Sequence, residues 1–211
     1  MMINNKAIAI ESYLDEILPN VECELIYHKD YELLIAVVLS AQTTDKSVNQ
    51  VTPKLFNKYQ TIDELARADI KDVEDIIKSI GLYKNKAKNI VLLAQELVVK
   101  YDGKVPEEKE ILVTLPGVGN KTAGVTRLEL FNDPELPVDT HVARIAKRLK
   151  LASKNDEPIV IEKKLKKVFP KESWCKLHHQ FIHFGRYICT AKNPECENCK
   201  IKEFCSEKHV K

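Results

Sequence analysis

Between Lys84 and Tyr101, the residues Ala87, Ile90, Val91, Ala94, Leu97, Val98 and Tyr101 recur at intervals that place them on one face of an α-helix. No stretch of the 211 residues sustains the alternation of apolar and polar positions that a half-buried strand requires. The chain is therefore expected to be all-α, with about ten short helices. Ala7, Ile10, Leu14, Ile17 and Leu18 mark a first helix over 5–18, ended by Pro19. Residues 31–39 are apolar on nearly every side, which suits a helix at the centre of a bundle. Thr44 or Asp45 can cap a helix reaching about Tyr59, and Thr61 with Glu64 forms a capping-box pattern. A helix from Asp69 to Ser79 has Gly81 as a left-handed stop. Helices are expected over 107–113, 120–131 and 140–149, then from Pro158, with a last long one over 171–188.

The longest apolar run, Leu33 to Leu39, is too short to span a bilayer, and no secretory signal opens the chain. A hydrophobic fraction of 44% with 30% charged residues fits a soluble globular protein, expected in the cytoplasm and, in a bacterium, on the nucleoid. Charge is unevenly placed. Residues 1–132 carry 16 Lys+Arg against 20 Asp+Glu, whereas 133–211 carry 17 against 11. A basic C-terminal third suits a polyanion, although a solvated lysine-rich surface has the same composition.

The stretch Leu115-Pro116-Gly117-Val118-Gly119-Asn120-Lys121-Thr122-Ala123 places a glycine-rich turn before a helix. Glycine permits positive φ and close backbone approach, and the first amides of a helix have no partners within it. Such a turn can clamp a phosphate oxygen through Gly117, Val118, Gly119 and Asn120. Gly-x-Gly also makes an ordinary helix corner. The spacing of Leu112, Leu115, Gly117, Gly119 and Ala123 matches the helix-hairpin-helix motif of DNA-binding proteins. Lys121 falls in the first turn of the following helix, where the dipole disfavours a cation. That placement and partial desolvation should lower its pKa, as a nucleophile needs, though a phosphate-gripping lysine would also fit. Asp139 lies 18 residues further on, at the next helix start, where an N-cap is its plainest role.

Cys189, Cys196, Cys199 and Cys205 follow the pattern C-x6-C-x2-C-x5-C. Four thiols this close in an intracellular chain suit a metal centre rather than disulfides. Zinc and an iron–sulfur cluster both remain open from spacing alone. Cys23 and Cys175 stand apart and read as buried thiols, and Trp174 as core. His178, His179 and His183 share a helix, but core packing explains them better than a metal. The lysines at 163, 164, 166 and 167 read as a solvated helix face, whereas Arg144, Lys147 and Arg148 follow Asp139 and are candidate DNA contacts.

Leu115–Ala123 and Val138-Asp139-Thr140-His141-Val142-Ala143-Arg144 resemble the endonuclease III family, the bifunctional DNA glycosylase/AP lyases of base excision repair. The similarity extends to Leu39–Asp45, to Gly81–Ala87 and to the cysteine loop, and so covers nearly the whole chain. It implies a six-helix domain over 22–132, containing the helix-hairpin-helix at about 107–131, and a second helical domain from 1–21 plus 133–211. DNA would lie in the groove between them. It further implies a structural [4Fe–4S] cluster on the four cysteines, and double-stranded DNA with damaged bases or abasic sites as partner to a monomer.

In such an enzyme Lys121 attacks C1′ of a flipped, oxidised pyrimidine nucleotide and Asp139 stabilises charge and assists proton transfer. Gln42 would fill the space left by the flipped base, Leu82 would wedge the opposite strand and Lys192 would face DNA. His141, by its place after Asp139, can orient that carboxylate, touch phosphate or make a structural hydrogen bond. Four residues depart from the family pattern. Asn120 replaces a usually basic residue, Gly124 stands where asparagine is common, and Arg127 and Glu129 charge a helix that is commonly apolar or small there.

Overall fold

The structure, a computed structural model, describes residues 2–207 and contains no strand among them. Its helices fall into two compact units, residues 24–131 and residues 1–23 with 132–211.

The first unit is built on helix α2, Asp30–Leu39, whose residues from Tyr31 onward are all buried. The one acid among them, Glu32, satisfies its carboxylate by accepting from the amide of His28 at 2.8 Å. Helix α3 (Asp45–Lys58) starts at Thr44, whose hydroxyl accepts from Ser47 N at 3.2 Å. Helix α4 (Ile62–Ala66) has the full capping box, with Thr61 and Glu64 each accepting from the other's backbone amide. Helix α5 (Ile70–Ile77) and the longest helix of the unit, α6 (Tyr83–Tyr101), pack together. The short α7 (Lys109–Leu112) and α8 (Asn120–Phe131) complete the unit, α8 lying against α2. Gly81 is not the left-handed stop expected of it. The left-handed residue is Leu82, φ 57°, which precedes α6.

The second unit gathers α1 (Met2–Ile17), α9 (Thr140–Arg148), α10 (Pro158–Val168) and α11 (Trp174–His183) around Ile10, Leu14, Val142, Ile145, Leu165 and Phe181. Two edge-to-face ring pairs, Tyr13 with Phe184 and Phe169 with Phe181, lock this core at centroid distances of 6.2 and 5.9 Å. Asp15 of α1 accepts from Lys176 and Gln180 of α11, tying the first helix to the eleventh. Trp174 is half-buried rather than central, its indole N–H bonded to Phe169 O at 2.9 Å.

Residues 171–188 form no single helix. A 3-10 turn, Lys171–Ser173, leads into α11, and a wide π-turn follows over Phe184–Ile188. There the amide of Cys189 bonds to Phe184 O, five residues back, at 2.6 Å. This shift of register releases the carbonyl of Gly185 for another donor. The lysines of α10 are not simply solvated either. Lys164 pairs with Asp156 at 2.6 Å, and Lys166 pairs with Glu135 and Glu162 at 2.7 Å each and lies over the Trp174 ring. No helix among the described residues is long and apolar enough to cross a membrane.

Candidate functional site

In the first unit, the turn between α7 and α8 is closed by Val118 N bonding to Leu115 O at 3.1 Å. Leu112, Leu115, Val118 and Ala123 turn inward and are buried, leaving Gly117, Gly119, Asn120 and Lys121 exposed. The two glycines serve different ends. Gly117 has φ 79°, and a Cβ there would lie 3.1 Å from Asn89 and from Val38. A Cβ on Gly119 would meet nothing within 4 Å, so its bareness answers to no neighbour inside the protein. The amides opening α8 carry the positive end of the helix dipole, and its first turn contains no acid. Lys121 has no burial to desolvate it, contrary to that part of the expectation from sequence.

The helices under this turn also carry the other two candidate loops, since Val38 belongs to α2 and Asn89 to α6. Just past α2, Gln42 has φ 54° inside a turn closed by Thr43 N bonding to Ser40 O at 3.0 Å. Just before α6, Leu82 is 58% exposed. Both are non-glycine residues in the left-handed region, which costs about 1–2 kcal/mol each. Strain of that size persists where surroundings enforce it, commonly at functional sites.

In the second unit, Asp139 is the N-cap of α9. Its Oδ1 accepts from the amides of His141 and Val142, both at 2.8 Å. Burial lowers the pKa of the His141 imidazole, Asp139 opposes this, and Arg144 and Arg186 reinforce it. Arg144, a candidate DNA contact from its place after Asp139, is half-buried. Its Nη2 donates to the freed carbonyl of Gly185 and to Cys189 O at 3.3 Å. Gly185 has no room for a side chain, since a Cβ would lie 3.0 Å from His141 and 3.2 Å from the Arg144 guanidinium. Arg148, one helical turn further on, is 8% exposed and donates to the carbonyls of Cys189, Thr190 and Ala191 and to the Cys189 thiol. Lys192 is exposed on the loop these arginines hold.

The four cysteines line one cavity of about 90 Å³, with Ile145, Leu149, Phe184 and Ile201 forming apolar wall. Among the described residues no three His, Cys, Asp or Glu side chains close around a point where a single ion could sit. Four thiols lining one cavity are a donor set that fits an iron–sulfur cluster, in which each thiolate takes one iron. His178 is used otherwise, its Nδ1 meeting Pro137 O at 3.0 Å.

A family model described as HhH-GPD superfamily base excision DNA repair protein matches residues 35–171, and one described as iron–sulfur binding domain of endonuclease III matches residues 189–205. Fold and hairpin are thus those of a base excision DNA repair protein. Endonuclease III of Bacillus subtilis is 44% identical over 209 residues, covering 98% of this chain and 94% of that protein. Endonuclease III of Escherichia coli is 42% identical over 204 residues, 96% of each. An endonuclease III in non-covalent complex with DNA superposes with a TM-score of 0.91 at 44% identity, covering 96% of this chain and 95% of the other. A thermostable thymine-DNA glycosylase shares the fold, at a TM-score of 0.84 and 23% identity over 96% of each chain. The chain belongs to the endonuclease III family, DNA glycosylases of base excision repair.

Proposed function

We propose that the protein is a bifunctional DNA glycosylase/AP lyase that removes oxidised pyrimidines from duplex DNA and cuts the strand 3′ to the resulting abasic site. The observation that carries this is Lys121, an exposed amine in the first turn of α8, two residues beyond a glycine whose missing side chain serves no contact within the protein. A backbone phosphate held on the amides of 117–120 would bring the sugar of a flipped nucleotide to that amine. The solved structure of a trapped endonuclease III–DNA covalent intermediate, 46% identical with a TM-score of 0.90, supports covalent chemistry in this family.

The neutral amine of Lys121 adds to C1′ as the glycosidic bond breaks and the base leaves with the bond electrons, taking up a proton. The sugar ring opens to an imine. Loss of the C2′ proton then expels the 3′ phosphate, and water releases the lysine. The Asp139 carboxylate stabilises the cationic stages and assists proton transfer. Gln42 and Leu82 occupy the duplex around the extruded nucleotide, and His141 and Lys192 add contacts to DNA.

Residues 22–132 act as the module supplying the lysine, and residues 1–21 with 133–211 as the module supplying the carboxylate, in a monomer. Cys189, Cys196, Cys199 and Cys205 hold a [4Fe–4S] cluster whose role is to fasten a loop too small for its own core.

Borohydride trapping on duplex DNA carrying an oxidised pyrimidine is the test. A covalent adduct with wild type and none with Lys121→Gln is expected. An adduct that persists in Lys121→Gln, or its absence from wild type, would refute the mechanism. Iron analysis addresses the cluster, which a colourless zinc protein would exclude.

A further inference from the structure

Lys86 is a cation in the wrong place for stability. It is 5% exposed and lies in the first turn of α6, where the helix dipole opposes positive charge and no acid is present. Among the described residues no carboxylate pairs with it. Its ammonium donates to Thr43 Oγ1, at 2.6 Å. A buried charge with a neutral partner costs free energy that an apolar side chain of equal length would not. Burial accordingly lowers its pKa.

What the bond spans is more informative than what it costs. Thr43 Oγ1 lies 3.4 Å from Ala41 O, so the hydroxyl donates back across Gln42 while accepting from Lys86. The chain Lys86 Nζ, Thr43 Oγ1, Ala41 O therefore straps the turn that holds Gln42 left-handed. At its other end, the amide of Lys86 bonds to Leu82 O at 3.0 Å, the first link of α6 behind left-handed Leu82. Thus one residue holds both strained positions, Leu82 through its backbone and the Gln42 turn through its side chain. The two are 40 residues apart in sequence, and the Lys86–Thr43 bond joins their loops.

We infer that Lys86 is a positioning residue: with Thr43 it forms a strut fixing the Gln42 turn to the Leu82 turn, so that both enter the duplex as one rigid device for extruding the damaged nucleotide. This rests on the proposed roles of Gln42 and Leu82. It assigns Lys86 no contact with DNA and no part in bond chemistry, and it accounts for an ammonium kept where stability disfavours it.

The test uses the full-length protein and a duplex bearing an oxidised pyrimidine beside 2-aminopurine, whose fluorescence rises when the neighbour unstacks. Lys86→Met and Thr43→Val, each close in shape to the original, should slow that rise about tenfold or more, as small misplacements of positioning groups do. The double variant should be no slower than the worse single one. Both should trap an abasic site in a single strand, where nothing needs extruding, at the wild-type rate, and Lys86→Met should melt no lower than wild type. If Gln42→Ala and Leu82→Ala slow the rise while Lys86→Met and Thr43→Val do not, the strut is refuted and the roles of the two loops stand. Additive effects in the double variant, or equal loss on the single strand, also refute it. No dependence of the signal on Gln42 or Leu82 would overturn both the strut and the roles beneath it.

Discussion

Arg148 donates from Nη1 to the thiol of Cys189 at 3.2 Å, and its guanidinium also holds the carbonyls of Cys189, Thr190 and Ala191. Helix α9, nine residues long, thus has Asp139 capping one end and the clamp of the cysteine loop at the other. A planar fork can serve several acceptors at once, and a lysine cannot. Arg148→Lys should therefore keep the charge and lose the grip. The expected outcome is bleaching of the iron–sulfur absorbance in air several times faster than in wild type, with the far-ultraviolet helical signal retained. Arg148→Met should be worse, since it removes the charge as well as the donors to the Thr190 and Ala191 carbonyls and the Cys189 thiol. Unchanged bleaching in both variants would show that the loop is held by the cysteines alone.

Asp139 caps α9 and, in the proposed mechanism, also supplies charge, and substitution can separate the two. Asparagine caps a helix as well as aspartate, through the same oxygen, but has no charge. Asp139→Asn should melt close to wild type and lose at least about a hundredfold in base excision, in the range of a general acid–base group. Asp139→Ala should lose the activity and also about 1 kcal/mol of stability with the two amide bonds to His141 and Val142. Denaturant unfolding beside excision rates checks both halves, and an active Asp139→Asn would remove the charge from the mechanism.

Much of this architecture was legible in residue order. Helix faces follow the three-and-four spacing of apolar residues, and the caps at Thr44, Thr61 and Asp139 are short-range chemistry that a local pattern records. Relationships across distance were not. Gly81 looked like the left-handed residue because glycine adopts positive φ freely, yet Leu82 takes it, held by tertiary surroundings that propensity does not see. Arg144 and Arg148 looked like groups for DNA because arginines after a helix start suit phosphate. That they face the 185–191 backbone depends on a π-turn which no periodicity announces. Lys86 lies in the Gly81–Ala87 stretch that resembles the family, but no local pattern marks it as buried.

The link between α1 and α11 should show in acid. Burial raises the pKa of Asp15, but hydrogen bonds from Lys176 and Gln180 outweigh it, so the folded value lies below the ordinary 3.8. The stabilisation is then fully present above pH 3.8 and is lost as pH falls through the depressed folded pKa. Asp15→Asn should be less stable than wild type at neutral pH, by no more than about 1 kcal/mol since the pair is partly exposed. The two proteins should converge at the acid end of the titration. A difference that grows with acidification would contradict the assignment.

The two exposed glycines of the hairpin offer the sharpest division between fold and function. Gly117→Ala must force a side chain into the left-handed region and against Asn89 and Val38, so a loss of about 1–2 kcal/mol is expected from the backbone alone. Gly119→Ala meets no such obstacle, because its Cβ would enter open space. If that space belongs to a phosphate, Gly119→Ala should unfold like wild type and bind duplex DNA at least about tenfold more weakly. The loss should be alike for damaged and undamaged sequences, since a backbone contact reads no base. Fluorescence anisotropy with both duplexes, beside a melting curve, decides it. Wild-type affinity in Gly119→Ala would leave the open face of the turn without a ligand and shift the grip on DNA to other residues.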